Sequence, residues 1–267
     1  MKRHLGWFGG RTARFFLVAA ILGCLAAPAL AQQASGSDEK QANNPLANKK
    51  AFNVQNYYIP DIYDLPDEKA NTAWLRYVQP ISRWLLRASL PLNTFPTGSE
   101  GTESGVGDLN AFGAYILTKP AATRMLGVGP LLVAPTASED ALGSGKWQGG
   151  AAFVIFDFAS PKLQYGGLVT YQQSFAGDDD RSDVSSMILQ PLVFWQLGKG
   201  TYLRSAPAWV FDFENNTYVV PFGLGIGKVV KSGNVVFNAF IEPQFTMLHK
   251  GDGQPAFQLF TGLNMQF

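Results

Sequence analysis

Arg87, Gln190, Arg204, Asp212, Glu242 and Gln244 are the residues through which this chain could do chemistry. Each falls on the polar side of a segment whose other side is apolar. Charges and amides in such positions act in one of two ways. They pair across an enclosed interior and fill it, or they line a water-filled path and bias which ions pass. On the lipid-contacting side of a membrane barrel, an Arg or Lys near the midplane would cost about 2–4 kcal/mol, so the side each of them takes is a physical constraint.

The remaining candidates are weaker. Asp178, Asp179, Asp180 and Asp183 could offer carboxylate oxygens to a hard cation. Their spacing lacks the central Gly and downstream Glu of a calcium loop. The cluster therefore reads as a solvated outer loop, with a weak cation bridge to lipopolysaccharide phosphates as the alternative. Gly143-Ser144-Gly145-Lys146 has part of a phosphate-binding loop, but Trp147 stands where Ser or Thr is required and a strand follows in place of a helix. His249 is the one histidine beyond the amino-terminal segment. A nucleophile–histidine system needs a Ser and an orienting acid beside it. Leu248-His249-Lys250-Gly251-Asp252-Gly253 reads instead as a loop mouth without a nearby Ser. No catalytic set, metal site or cofactor is expected.

Strands must carry these residues. Arg83, Arg87, Ser89 and Asn93 alternate with Trp84, Leu86, Leu90 and Leu92. Leu203, Trp209, Phe211 and Phe213 oppose Arg204, Asp212 and Glu214, while Phe237, Ile241, Phe245 and Met247 oppose Asn238, Glu242, Gln244 and Thr246. Tyr218, Val220, Phe222, Leu224 and Ile226 share a side against Gly223, Gly225 and Gly227. A period of two residues is the signature of a strand with two unlike faces. Mean hydropathy is near zero, as expected when lipid-facing and lumen-facing residues cancel. The 28 Gly and 13% aromatic content suit close strands with aromatic girdles, and 21 Lys plus Arg against 20 Asp plus Glu give no field for nucleic acid.

Both ends carry address information. Lys2, Arg3, Arg11 and Arg14 precede an apolar run from Phe15 to Leu25, and Ala29-Leu30-Ala31 supplies small residues for cleavage after Ala31. The alternative is lipoprotein processing at Cys24 in Ile21-Leu22-Gly23-Cys24. Cleavage after Ala31 would leave a mature chain without cysteine. Residues 32–50 read as a flexible periplasmic lead-in, and 51–267 as the barrel. At the other end, Phe257, Leu259, Leu263, Met265 and Phe267 alternate with polar residues. Gly262, Met265 and Phe267 match the spacing read by the barrel-assembly machinery, whereas Phe260 stands where that signal has a polar residue.

Connections decide between a sandwich and a membrane barrel. Long ones, rich in acid, Gly and Ser, are expected at Asp64 to Thr72, Phe95 to Asp108, Thr136 to Lys146, Ala176 to Asp183 and His249 to Pro255. Short turns near Pro80-Ile81-Ser82, Lys119-Pro120, Ser160-Pro161, Gly198-Lys199-Gly200 and Ser232-Gly233 alternate with them. The pattern predicts an all-β, up-and-down antiparallel barrel of about twelve strands, with both termini in the periplasm.

Gly105-Val106-Gly107-Asp108-Leu109, Leu126-Gly127-Val128-Gly129-Pro130, Ala134-Pro135-Thr136-Ala137, Ala141 to Trp147, Ala176 to Val184 and Gln190-Pro191 continue in an ordered series. From about Asn44 to the end, the chain resembles the outer-membrane protein family associated with the meta-cleavage pathway of phenol degradation. The resemblance implies a barrel in the outer membrane and, through the family name, passage of small organic or aromatic compounds. It brings no catalytic or binding residues. The leading expectation is a passive outer-membrane channel for small solutes, in contact with lipid, lipopolysaccharide and the assembly machinery. The second is a non-transporting structural or surface-interaction barrel, its lumen plugged by side chains or by residues 32–50. An outer-membrane hydrolase is third.

Overall fold

Because side chains alternate along a strand, a strand with one apolar and one polar side must turn the apolar side towards lipid once it lies in a bilayer. The computed structural model describes residues 32–33, 36, 41–98, 101–119 and 121–267, so the expected signal peptide, residues 1–31, lies outside the described residues. Twelve antiparallel strands follow in chain order. They are β1 (Ala51–Ile62), β2 (Ala70–Ile81), β3 (Trp84–Pro96), β4 (Thr102–Val106 and Leu109–Ile116), β5 (Arg124–Ala134), β6 (Lys146–Asp157), β7 (Leu163–Gly177), β8 (Ser185–Gly198), β9 (Thr201–Ser205 and Trp209–Asp212), β10 (Thr217–Gly223 and Gly225–Ser232), β11 (Val235–Lys250) and β12 (Pro255–Gln266).

Each strand pairs with the next, and β12 returns to β1 from Gln266 opposite Ala51 to Pro255 opposite Ile62. The sheet is closed. Closure removes both edges, which is the condition for strands to span lipid. Ala51 and Gln266 mark a lower rim, where the turns at 82–83, 199–200 and 233–234 are tight; the connection at 135–145 marks the upper rim.

Two expected loops are shorter than composition suggested. β3 runs to Pro96 and β4 begins at Thr102, so half of Phe95 to Asp108 is strand. Within β4 only Gly107 and Asp108 leave the ladder, where the Asp108 carboxylate accepts the backbone N–H groups of Ala137 and Ser144. β11 likewise extends through His249 to Lys250.

Burial is inverted relative to a soluble protein. Leu224 is 57% exposed on the outer wall, while Glu242 is 0% exposed inside. The inner face carries buried Gln55, Ser89, Gln148, Asn238 and Gln244.

Candidate functional site

The interior is built from inward positions of almost every strand, and its lower part is filled by the chain itself. Residues 41–48, read from composition as part of a flexible lead-in, lie inside the cylinder. Leu46 is fully buried against Leu85, Ala114 and Val154. Ala42 enters a second apolar cluster with Phe156, Phe194, Tyr202 and Val229. The wall meets several polar groups of this segment: the Asn238 amide donates to the Ala42 carbonyl at 3.1 Å and to Asn43 Oδ1 at 3.0 Å, and the Gln266 amide donates to the Gln41 carbonyl at 3.2 Å. A buried backbone without such partners would be unfavourable, so the wall amides allow a polar segment to sit in an enclosed space. This corrects the expectation of a free lead-in over these residues.

Above the plug the lumen is charged. Arg204 of β9 and Glu242 of β11 form a buried pair, with Arg204 Nε donating to Glu242 Oε2 at 2.6 Å. The other oxygen, Oε1, accepts the Ala206 N–H at 2.9 Å and the Gln244 amide at 2.8 Å; Gln258 in turn donates to Gln244 at 2.6 Å. Gly223 faces this network because a Cβ there would collide with the Glu242 carboxylate. The Arg204 guanidinium lies 3.5 Å from the centre of the Phe240 ring and 5.2 Å from that of Phe260, and Phe260 stacks on Tyr57 at 4.2 Å. The aromatic residue that departs from the expected assembly signal is thus an inward-facing cover for Arg204.

The opposite wall carries Arg76 of β2 and Arg87 of β3. Arg76 donates to Gln55 Oε1 and lies over Trp74 at 4.8 Å; Arg87 lies over Phe112 at 4.2 Å. Among the described residues neither makes an ion pair, and the Nε of each is buried without a hydrogen-bond partner. Both border two chambers. A lower one of about 160 Å³ lies between the plug and the arginines, and an upper one of about 370 Å³ continues towards the upper rim past Tyr57, Gln172 and Gln258. Gln190 also borders both. A guanidinium without an acid partner beside open space matches the geometry of planar carboxylates and other oxyanions.

The chain also shares its shape with solved proteins. An outer membrane channel from Pseudomonas putida F1, the COG4313 channel, superposes with a TM-score of 0.64 at 16% identity, covering 84% of this chain and 98% of that one. The NanC porin gives 0.54 at 10% identity, covering 81% and 98%, and the KdgM porin 0.50 at 7%, covering 81% and 99%. The fold is that of outer-membrane channel barrels. No family model matches the chain. No curated protein matches it either. At these identities the likeness concerns architecture and leaves the solute open.

Set in that architecture, the expected site residues separate into groups. Arg87, Gln190, Arg204, Glu242 and Gln244 meet in the lumen. Asp212 shares their side of β9 but stands at the upper rim, where its carboxylate accepts the backbone N–H and side-chain amide of Asn215. It is a hairpin residue, displaced from the group because the 213–216 turn begins beside it. Asp178, Asp179, Asp180 and Asp183 lie on the upper connection after β7. Asp178 accepts the Asp180 N–H, and Asp183 pairs with Lys146 at 3.3 Å. Among the described residues no group of three metal-ligating side chains converges. His249 stacks on Tyr63 at 3.8 Å. On β12, Gly262 lies under the Phe240 ring, Met265 stands opposite Phe52, and the Phe267 N–H donates to the Lys50 carbonyl at 3.0 Å. Arg76 is the inward-facing arginine missed from sequence. Its signal was present, since Leu75 and Tyr77 flank it on the opposite side of β2.

Proposed function

We propose that this protein is a passive outer-membrane channel for small molecules and that Arg76 and Arg87 make it favour anions. The observation carrying this reading is the pair of inward guanidiniums, unpaired and shared by both chambers. A solute descending from the upper rim meets them before it meets the plug. Fixed positive charge in a narrow path raises the local concentration of anions and excludes cations. The Arg204–Glu242 pair adds no net charge to that field. Trp74, Leu131, Ile188 and Val210 give the upper chamber apolar surface beside its polar groups, which supports passage of ring-bearing solutes as well as simple ions. The strand ending in Phe267 is the element the assembly machinery would read.

The test is single-channel recording in planar bilayers under a KCl gradient. The expected result is a small conductance with a reversal potential set by chloride. A cation-selective reversal potential would refute the assignment of the arginines.

A second reading has its own observation, the plug formed by residues 41–48. In that reading the barrel is closed and serves a structural or surface role. Deleting residues 32–47 downstream of the export signal separates the two. A conductance that grows on deletion supports a channel narrowed by its own chain, whereas no conductance in either form supports the closed barrel.

A further inference from the structure

The near-balance of charge over the whole chain conceals a separation along the barrel axis. Connections alternate between the two rims, and the sign of their charge alternates with them. At the lower rim Lys50 stands before β1, and Arg83, Lys119, Lys162 and Lys199 lie in the turns that follow β2, β4, β6 and β8. Lys231, near the end of β10, completes the ring. Among the described residues Asp157 is the one acidic side chain at this rim, and Arg124 pairs with it at 2.9 Å. The upper connections are the reverse, with Asp67, Glu139, Asp178, Glu214 and Asp252 after β1, β5, β7, β9 and β11.

The basic ring lies at the level where a bilayer changes from hydrocarbon to headgroup. Trp84, Tyr165 and Trp195 are exposed on the outer wall, and aromatic side chains of this kind collect at that boundary. Arg83 adjoins Trp84, Lys162 is three residues from Tyr165, and Lys199 is four from Trp195. With the rise of a tilted strand, these charges stand about 3–10 Å beyond the aromatic belt, which covers the headgroup layer. Lys228 shows the same preference from within the wall. It shares the outward side of β10 with Ile226, yet its ammonium reaches down to the Lys199 carbonyl at 2.6 Å and to Thr201 Oγ1 at 3.1 Å. A cation at the hydrocarbon edge bends in this way to bring its charge to the polar layer. Lys50, Lys119, Lys162 and Lys199 are exposed and, among the described residues, make no ion pair.

We infer that this rim is a collar for anionic phospholipid, which holds the phosphodiester headgroups of the periplasmic leaflet, with phosphatidylglycerol as their representative. The short turns are the mark of the periplasmic side. Distribution argues for the occupant. The bases recur around the whole circumference, which fits an annulus of lipid, whereas a folded acidic partner would need them gathered on one face. Anionic headgroups attract Lys and Arg at such a surface, and the attraction fades within a Debye length. The acidic upper rim repels the same headgroups, so only one end of the barrel gathers them. The collar requires the barrel to sit in lipid and asks nothing of conduction.

Residues 32–267, refolded into vesicles, carry their own reporters. Trp84 and Trp195 stand at the collar and Trp147 at the upper rim, all exposed on the outer wall. One form keeps Trp84 and Trp195, a second keeps Trp195 alone and a third keeps Trp147 alone, the other tryptophans being replaced by Phe. Heat-modifiability confirms that each has folded. Quenching is measured with brominated phosphatidylglycerol in phosphatidylcholine, and then with the bromine on the other lipid. Both leaflets carry the probe, so the direction of insertion does not matter. The collar reporters should favour phosphatidylglycerol about fivefold, and the preference should fall towards parity in about 1 M salt. Lys162→Gln combined with Lys199→Gln should lower it in the form that keeps Trp195, and Trp147 should show no preference. Equal preference at the two rims overturns the collar, as does a preference that survives high salt or the loss of both lysines. Absence of preference at either rim also overturns it and would leave the ring to an acidic periplasmic protein. The salt comparison uses the native rim, so it decides the matter even where a lysine variant fails to fold.

Discussion

Arg204 and the pair Arg76–Arg87 face each other across one lumen and are treated in opposite ways. Arg204 has a carboxylate at 2.6 Å, an amide relay behind that carboxylate and aromatic rings over its face. Arg76 and Arg87 have aromatic rings and an amide but no acid. A buried charge that is paired and hydrogen-bonded holds a structure in one arrangement, whereas a buried charge left without a counter-ion is a standing electrostatic cost. The difference teaches that one wall of the lumen is built for shape, whereas the other carries charge without a counter-ion, which is what the proposed anion path requires.

The strongest way to break this comparison is Glu242→Gln. It strands the Arg204 charge in a nearly dry site, and we expect a loss of about 3–5 kcal/mol, read as a lower unfolding temperature in detergent. Arg87→Gln should cost far less or stabilise, since it removes a charge that has no partner. Equal losses in the two variants would mean that Arg87 is also a structural residue.

The next largest effect sharpens the boundary of the lumen. Leu224→Arg places a charge on the outer wall and should destabilise by about 2–4 kcal/mol, while Ser89→Arg, pointing inward, should assemble more readily. Comparing the folded fraction of each in outer-membrane extracts checks it.

Selectivity should respond more gently. Two unit charges 4 Å apart in water attract by about 1 kcal/mol, which corresponds to roughly a fivefold change in partitioning. Arg76→Gln or Arg87→Gln should therefore reduce the chloride-to-potassium permeability ratio by about that factor, and Arg204→Gln paired with Glu242→Gln should leave the ratio near its original value. Reversal potentials distinguish these cases.

The smallest effect concerns the upper rim. Ser174 and then Lys146 hold the Asp183 carboxyl below its ordinary value. A depressed folded value means that the contact's contribution is fully present at neutral pH and is lost as pH falls through that lowered value. Protease nicking of the 178–184 connection should rise over that acidic range, and Asp183→Asn should remove the pH dependence.

Much of this arrangement was legible from period-two alternation. The parity of Arg87, Arg204 and Glu242 follows from the apolar residues beside them, and the outward set Phe222, Leu224 and Ile226 follows in the same way. Arg76 was legible by the same rule and passed over, because Trp74 and Val78 share its inward side and blur the contrast in β2. The plug was not legible. Asn43, Asn44 and Pro45 have the composition of a solvated linker, and only their long-range partners reveal the docking: Asn238 donates to Asn43 Oδ1, and the Met125 sulfur accepts from the Asn44 amide. The upper part of β3 and β4 was hidden for a related reason: Thr102 to Val106 has loop composition, and its pairing is imposed by β3.

The position of the plug has a consequence for the order in which the barrel can be completed. Residues 41–48 precede β1, yet their polar anchors come from Asn238 on β11 and Gln266 on β12, the last strands to be synthesised. The segment therefore lacks these polar anchors until nearly the whole chain has emerged, although the apolar surface for Leu46 is made earlier. The β1–β12 seam must then close with that segment already within the ring or able to thread into it. A chain cut short by its final strand would lose its closing seam and the Gln266 anchor of its own amino-terminal segment in the same stroke.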